Sequence, residues 1–228
     1  MNEKNFEHLL NNLTRIDPQS SIFNGGMEIT KTFSLMNGNL LDWLDELPPN
    51  TRLLIEPKID GCGIALNFED GNFKKAIDRE GNDKTNEIAL IRNFPKEIPI
   101  SKPIHITGQI YGSALVPSQS KRLAKEFLKG NFFLRDKLSF CSFQLLNSDL
   151  NHYQSIKELQ RLGFEVPENE FTNYTSDVFL YEQLWSGCKI FCKYPTKGIV
   201  LKVNSRKLQK QLGETAFAPR WAYAIDHP

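Results

Sequence analysis

The amino-acid sequence predicts an α+β domain assembled from short strands and amphipathic helices along 228 residues. Short apolar runs bounded by glycine, proline or polar residues read as strands, and Asp70-Gly71 joins two of them as a hairpin turn. Other segments repeat their apolar residues at helical spacing. The composition, 40% hydrophobic and 24% charged, suits one well-filled core or a core with a small appendage.

In chain order, residues 3–15 set Phe6, Leu9, Leu10 and Leu13 on one helical stripe. An extended lead-in over 30–37 follows. Residues 39–47 form a short helix with Leu40, Leu41, Trp43 and Leu44 inward, stopped by Pro48-Pro49. Leu53-Leu54-Ile55 is a buried strand, and residues 62–78 alternate as a hairpin that ends at Arg79. Residues 84–93 read as a helix closed by Phe94-Pro95.

The strand over 103–111 carries His105 and Gln109 on one face, where a lone histidine is expected to be a hydrogen-bonded structural group. Residues 118–129 form a helix more basic than apolar, and residues 138–146 an apolar strand. Helices are expected over 151–163, with Ile156, Leu159 and Leu162 inward and a stop at Gly163, and over 176–186. A strand at 199–203 precedes a second basic helix bearing Arg206, Lys207 and Lys210. No internal repeat or low-complexity tract is present.

The stretch around which the rest is organised is Glu56-Pro57-Lys58-Ile59-Asp60-Gly61, set between two apolar runs. It puts a lysine flanked by carboxylates at the end of a buried strand, just before a tight turn, where sheets often hold reactive groups. An amine desolvated there loses its proton more readily and becomes a nucleophile toward a carbonyl or a phosphorus. A surface lysine paired with Glu56 or Asp60 fits the same spacing.

Net charge is +1, so no global field draws the chain to a polyanion, and nucleic-acid contact must come from local patches. Lys121, Arg122, Lys125 and Lys129 form one such patch and Arg206, Lys207 and Lys210 another, although solvated helix faces look the same. The four cysteines Cys62, Cys141, Cys188 and Cys192 include no Cys-x-x-Cys pair and read as reduced core thiols. No metal site is expected. The polar N-terminus and the absence of a spanning apolar run predict a soluble cytoplasmic protein with no membrane partner.

Lys58-Ile59-Asp60-Gly61 resembles the adenylation motif of the covalent nucleotidyltransferases, the superfamily of DNA ligases, RNA ligases and capping enzymes. Gly63, where the ATP-using members usually carry arginine, resembles instead the NAD-dependent bacterial DNA ligases. Asp78-Arg79-Glu80-Gly81-Asn82, Thr107-Gly108-Gln109-Ile110, the run from Lys197 to Asn204 and the run from Ala218 to Ala224 resemble later motifs of that family in order. The resemblance covers about residues 30–228.

It implies the nucleotidyltransferase fold, with antiparallel sheets flanked by helices, and attack of Lys58 on the α-phosphorus of NAD to leave a lysyl-AMP, with Mg²⁺ as cofactor. It also implies nucleotide contacts from Ser34, Leu35, Glu56, Ile59, Asp60, Arg79, Gln109 and Lys202. Glu56 would read the adenine amino group, Arg79 and Gln109 the ribose, and Lys202 the α-phosphate. The expected division is a helical lead-in over 1–50 and an adenylation domain over 51–228, without the family's oligonucleotide-binding, zinc, helix-hairpin-helix and terminal BRCT domains. Nicked DNA, and a protein supplying those DNA-binding parts, are the expected partners.

Several residues depart from the family pattern. Gln109 stands where the family has glutamate, Ser142 falls at the expected aromatic platform beside Phe140 and Phe143, and no tyrosine precedes Tyr111 to grip a nicotinamide mononucleotide half. Lys197 stands where the family has aspartate, and Asp226 where it has a lysine that neutralises the α-phosphate. These exchanges favour a second reading, a homologue that binds nucleotide or a partner without catalysis.

Overall fold

The computed structural model describes residues 35–226 except 115, 174, 216 and 217, together with the backbone alone at 175 and 176. The helix expected at 3–15, and Ser34, lie outside the described residues. Among the described residues eight strands are arranged as two antiparallel four-stranded sheets.

The first sheet has the order β6-β1-β7-β8, from Glu170–Thr172 (β6), Leu53–Ile59 (β1), Thr196–Val203 (β7) and Ala222–Asp226 (β8). The second has the order β3-β2-β4-β5, from Asn72–Asp78 (β3), Cys62–Glu69 (β2), Ile104–Gly112 (β4) and Leu138–Leu145 (β5). The chain therefore crosses from one sheet to the other at Asp60-Gly61, between β1 and β2. Each sheet has its own apolar cluster. Ile64, Leu66, Phe68, Ile106, Phe127 and Phe140 centre one, and Ile55, Ile199, Leu201, Val203 and Trp221 the other.

β1 is buried on both faces except at Lys58, as expected of a strand interior to its sheet. Both residues of the β2–β3 turn have positive φ, Asp70 at 50° and Gly71 at 77°, the backbone of a type I′ turn whose twist matches that of the flanking strands. β6 and β8 were not foreseen. β6 is three residues long, too short for alternation to show, and β8 is buried at its first three positions, so it reads as a continuous apolar run.

The helices are α1 (Leu40–Asp45), α2 (Thr85–Ala89), α3 (Pro117–Leu128), α4 (His152–Arg161), α5 (Thr175–Ser186) and α6 (Arg206–Leu212), with a 3₁₀ turn over Phe132–Lys137. The first two are shorter than expected, and Leu41, expected inward, is exposed. A single buried residue, Trp43, anchors α1. Its Nε1 donates to the Arg220 carbonyl at 2.9 Å and its ring lies 5.3 Å from that of Tyr223 on β8. Among the described residues no helix is long and apolar enough to cross a membrane.

Candidate functional site

A cleft of about 650 Å³ opens between the sheets beside the β1–β2 crossing. That is the usual size of a small-molecule or cofactor site. It brings together Leu35, Glu56, Lys58, Ile59, Asp60, Arg79, Gln109 and Lys202, every described residue that the sequence singled out for nucleotide binding.

Strand irregularities lie beside two of its side chains. The β1–β7 register runs Pro57↔Ile199 and then Ile59↔Thr196, so a bulge on β7, Lys197-Gly198, stands opposite Lys58, which follows a proline that cannot donate to the ladder. The β4–β5 register runs Thr107↔Gln144 and then Gly108↔Ser142, which leaves Phe143 as the extra residue of β5. Phe143 thereby lines the cleft. Ser142, expected at the platform, is fully buried and donates to the Glu165 carbonyl at 3.0 Å. The aromatic face comes from its neighbour.

The turn after Lys58 is fixed from several sides. The Asp60 N–H donates to the Pro195 carbonyl at 2.7 Å, and the Asp60 carbonyl accepts from Ser120 Oγ at 3.1 Å. The buried Asp60 carboxylate pairs with Lys121 at 3.3 Å and Lys197 at 3.1 Å. Gly61 is required by close approach, since a Cβ there would collide with the Ile110 carbonyl oxygen.

Lys58 Nζ is paired with Asp226, not with the flanking Glu56 or Asp60. Glu56 is held elsewhere. Its Oε2 lies 2.7 Å from Lys202 Nζ and its Oε1 2.6 Å from His152 Nε2. Burial raises the Glu56 carboxyl, but attraction and hydrogen bonds from Lys202 and His152 outweigh it and hold the group at about 2. Burial lowers the His152 imidazole, so it stands neutral with its Nε2–H donating to Glu56. Lys202 Nζ also lies 4.8 Å from the centre of the Phe143 ring.

Arg79 follows β3 at the cleft rim. Its neighbour Asp78 is used by the turn, accepting the Glu80 N–H at 3.0 Å and the Asn82 N–H at 2.8 Å. On α3, Lys121 and Lys125, with Lys129 just beyond, turn one face to the cleft, while Arg122 faces away, 70% exposed. Seven lysines and arginines and four carboxylates line the cleft, so a local positive field exists in a chain of net charge +1. By contrast Arg206 is a structural tie, donating to the Ser148 and Leu146 carbonyls at 3.0 and 3.1 Å.

Sequence reasoning missed His152 and Lys84 beside the cleft, named Phe143 only as a neighbour of the expected platform, and read the α3 lysines as a nucleic-acid patch and not as cleft lining. The i, i+4, i+8 spacing of Lys121, Lys125 and Lys129 was the one available signal. His105 sits toward the far end of β4 from Gln109, and its buried Nδ1 has no hydrogen-bond partner, contrary to the satisfied group expected. Cys188 and Cys192 are exposed and not core thiols, because they flank an irregular turn in which Cys188 and Phe191 take positive φ.

Among the described residues no group of three or more His, Cys, Asp and Glu could hold a metal ion. The two buried carboxylates beside Lys58, Glu56 and Asp60, are each engaged by two side chains. These residues do not form a metal cage.

Two antiparallel sheets flanked by helices, with Lys58 facing the basic cleft beside their crossing, make this a domain of the nucleotidyltransferase fold. Residues 39–228 match the NAD-dependent DNA ligase adenylation domain family, and the chain belongs to it. It is 27% identical over 230 residues to a DNA ligase of Christiangramia forsetii, covering 85% of this chain and 35% of that protein. It is 31% identical over 194 residues to a DNA ligase of Wolbachia pipientis subsp. Culex pipiens, covering 75% of this chain and 29% of that protein. The chain thus spans about a third of the length of these relatives.

Solved structures agree on the fold. A structure from work on Lig E DNA ligases matches with a TM-score of 0.56 at 12% identity, covering 86% of this chain and 68% of that one. An archaeal ATP-dependent RNA ligase matches with a TM-score of 0.53 at 14% identity, covering 85% of this chain and 47% of that one.

Proposed function

We propose that this domain transfers adenylate from NAD to Lys58, forming a lysyl-AMP whose AMP passes to a DNA 5′-phosphate during nick sealing in replication or repair. The observation that carries this reading is the placement of Lys58, near the end of β1, in a cleft rich in cations. Cations arranged in advance around a reacting phosphate stabilise charge that develops on its oxygens.

In this reading the nucleotide base stacks on Phe143, Arg79 and Gln109 face the ribose, and Lys121 and Lys125 attract the phosphates. Lys202 is presented with Glu56 as a pair, so recognition of the adenine amino group by Glu56 and of the α-phosphate by Lys202 requires the donor to share or displace that contact. Mg²⁺ commonly reaches such sites on substrate phosphates with one or two carboxylates, and would supply further charge neutralisation. The protein acts in the cytoplasm on nicked DNA, with DNA-clamping surfaces supplied by a partner.

One observation favours a second reading, a nucleotide- or partner-binding module without catalysis. Asp226, where the family resemblance has a lysine, occupies the nucleophile. Peptide mapping after incubation with Mg²⁺ and NAD or ATP decides between them. AMP on the Lys58 peptide supports the enzyme; bound but untransferred nucleotide supports the module.

A further inference from the structure

We propose that Asp226 is a catalytic residue that holds Lys58 and accepts its proton, and that Asp226 and Lys197, each through its own ion pair, hold the Lys58-Ile59-Asp60 turn at both ends. The inference rests on the lysyl-AMP reading above. The β7–β8 register pairs Gly198 with Asp226, which puts Lys197 one residue along β7 from the partner of Asp226. Asp226 binds Lys58 Nζ, and Lys197 Nζ lies 3.1 Å from Asp60 Oδ2.

Both outer side chains are 46% exposed, so the pairing and not burial fixes them. Gly198 permits the approach, because a Cβ there would collide with the Ile225 carbonyl oxygen. The family resemblance leads to aspartate at 197 and lysine at 226. This chain carries the reverse, and the two positions still hold one anion and one cation.

The chemistry gives the anion a task. One proton leaves the Lys58 ammonium for water, and the neutral nitrogen forms the N–P bond. The P–O bond to nicotinamide mononucleotide breaks, and the departing phosphate oxygen keeps the electron pair. Bonded to phosphorus, the nitrogen is positively charged and its remaining surplus proton is far more acidic. That proton passes to the Asp226 carboxylate, already in contact. Lys197 keeps the adjoining Asp60 neutralised, and Lys121 does so from α3.

Single-turnover adduct formation on the full chain, read by intact mass, tests this. Asp226→Asn should slow the step about 10²-fold with nucleotide affinity unchanged, and Asp226→Glu should stay within about tenfold of wild type. Lys197→Asp and Asp226→Lys should each be impaired, and the double variant should recover about tenfold over either. Asp226→Asn reacting at the wild-type rate, or a double variant no better than the singles, overturns the inference alone. A wild-type chain that forms no adduct overturns the lysyl-AMP reading itself. Without nucleotide, an amine-acylating reagent should label the Lys58 peptide faster in Asp226→Asn than in wild type; equal labelling overturns the contact.

Discussion

Lys58 and Phe143 face one cleft from opposite sheets, each beside a register slip: Phe143 is the extra residue of β5, and Lys58 stands opposite the two-residue bulge Lys197-Gly198 of β7. A bulge turns a side chain out of the alternation that its neighbours obey. Here the β5 bulge turns the Phe143 ring into the space that Lys58 lines from the other sheet.

Phe143→Ala should therefore weaken nucleotide binding. Stacking of a base on an aromatic ring is worth about 1–3 kcal/mol, so affinity for AMP should fall roughly 5- to 150-fold. Calorimetric titration measures this, and Ser142→Ala, altering a buried serine that turns from the cleft, should leave affinity unchanged.

The same slip explains what the sequence concealed. Strict alternation from Phe140 places Ser142 with Phe140 on one face of β5 and leaves the choice between Phe140 and Phe143 open. The extra residue appears only when β5 pairs with β4. The Lys58-Ile59-Asp60-Gly61 turn was legible because a lysine, a strand end and a glycine lie within four residues. The partners of Lys58 and Glu56 were not, because they lie 168 and 146 residues further along the chain, and 96 in the case of His152. No periodicity reports contacts over such separations. Most helices and strands carried their own patterns; β6 and β8 took theirs from the strands beside them.

Lys202→Met should be costly to the fold. Lys202 and Glu56 are both buried, and removing the ammonium leaves a carboxylate with His152 as its remaining recorded partner. Breaking a buried pair this way typically costs about 3–5 kcal/mol. Urea unfolding should show it, and the double variant Lys202→Met/Glu56→Gln should recover part of the loss.

Acid should destabilise the domain through the same cluster. Glu56 is held at about 2 in the folded state, below its ordinary 4.5, so its contribution is present above about 4.5 and is lost as pH falls toward 2. His152 is held below 6.5, so an unfolded chain takes up that proton first and the loss begins as pH drops below that value. Together these make stability fall steadily between neutral pH and pH 3, with the Glu56 part on the order of 3 kcal/mol. Urea midpoints measured across that range should flatten in Glu56→Gln.

The thiols should divide in two. Cys188 and Cys192 are exposed, and a disulfide-exchange reagent should modify both in the folded protein. Burial pushes the half-buried Cys62 thiol up to about 11 and the buried Cys141 thiol well above its ordinary value. Those two should react only on unfolding, which thiol counting with and without denaturant will show.

The most direct test of the account is the intact mass of the purified protein after incubation with Mg²⁺ and NAD, with ATP in parallel and Lys58→Ala beside it. The account predicts a gain of about 329 Da, one adenylyl group, with NAD and its loss in Lys58→Ala. An unchanged mass with either donor, while nucleotide binding is still measurable, would contradict it and leave a ligase fold that binds nucleotide without catalysis.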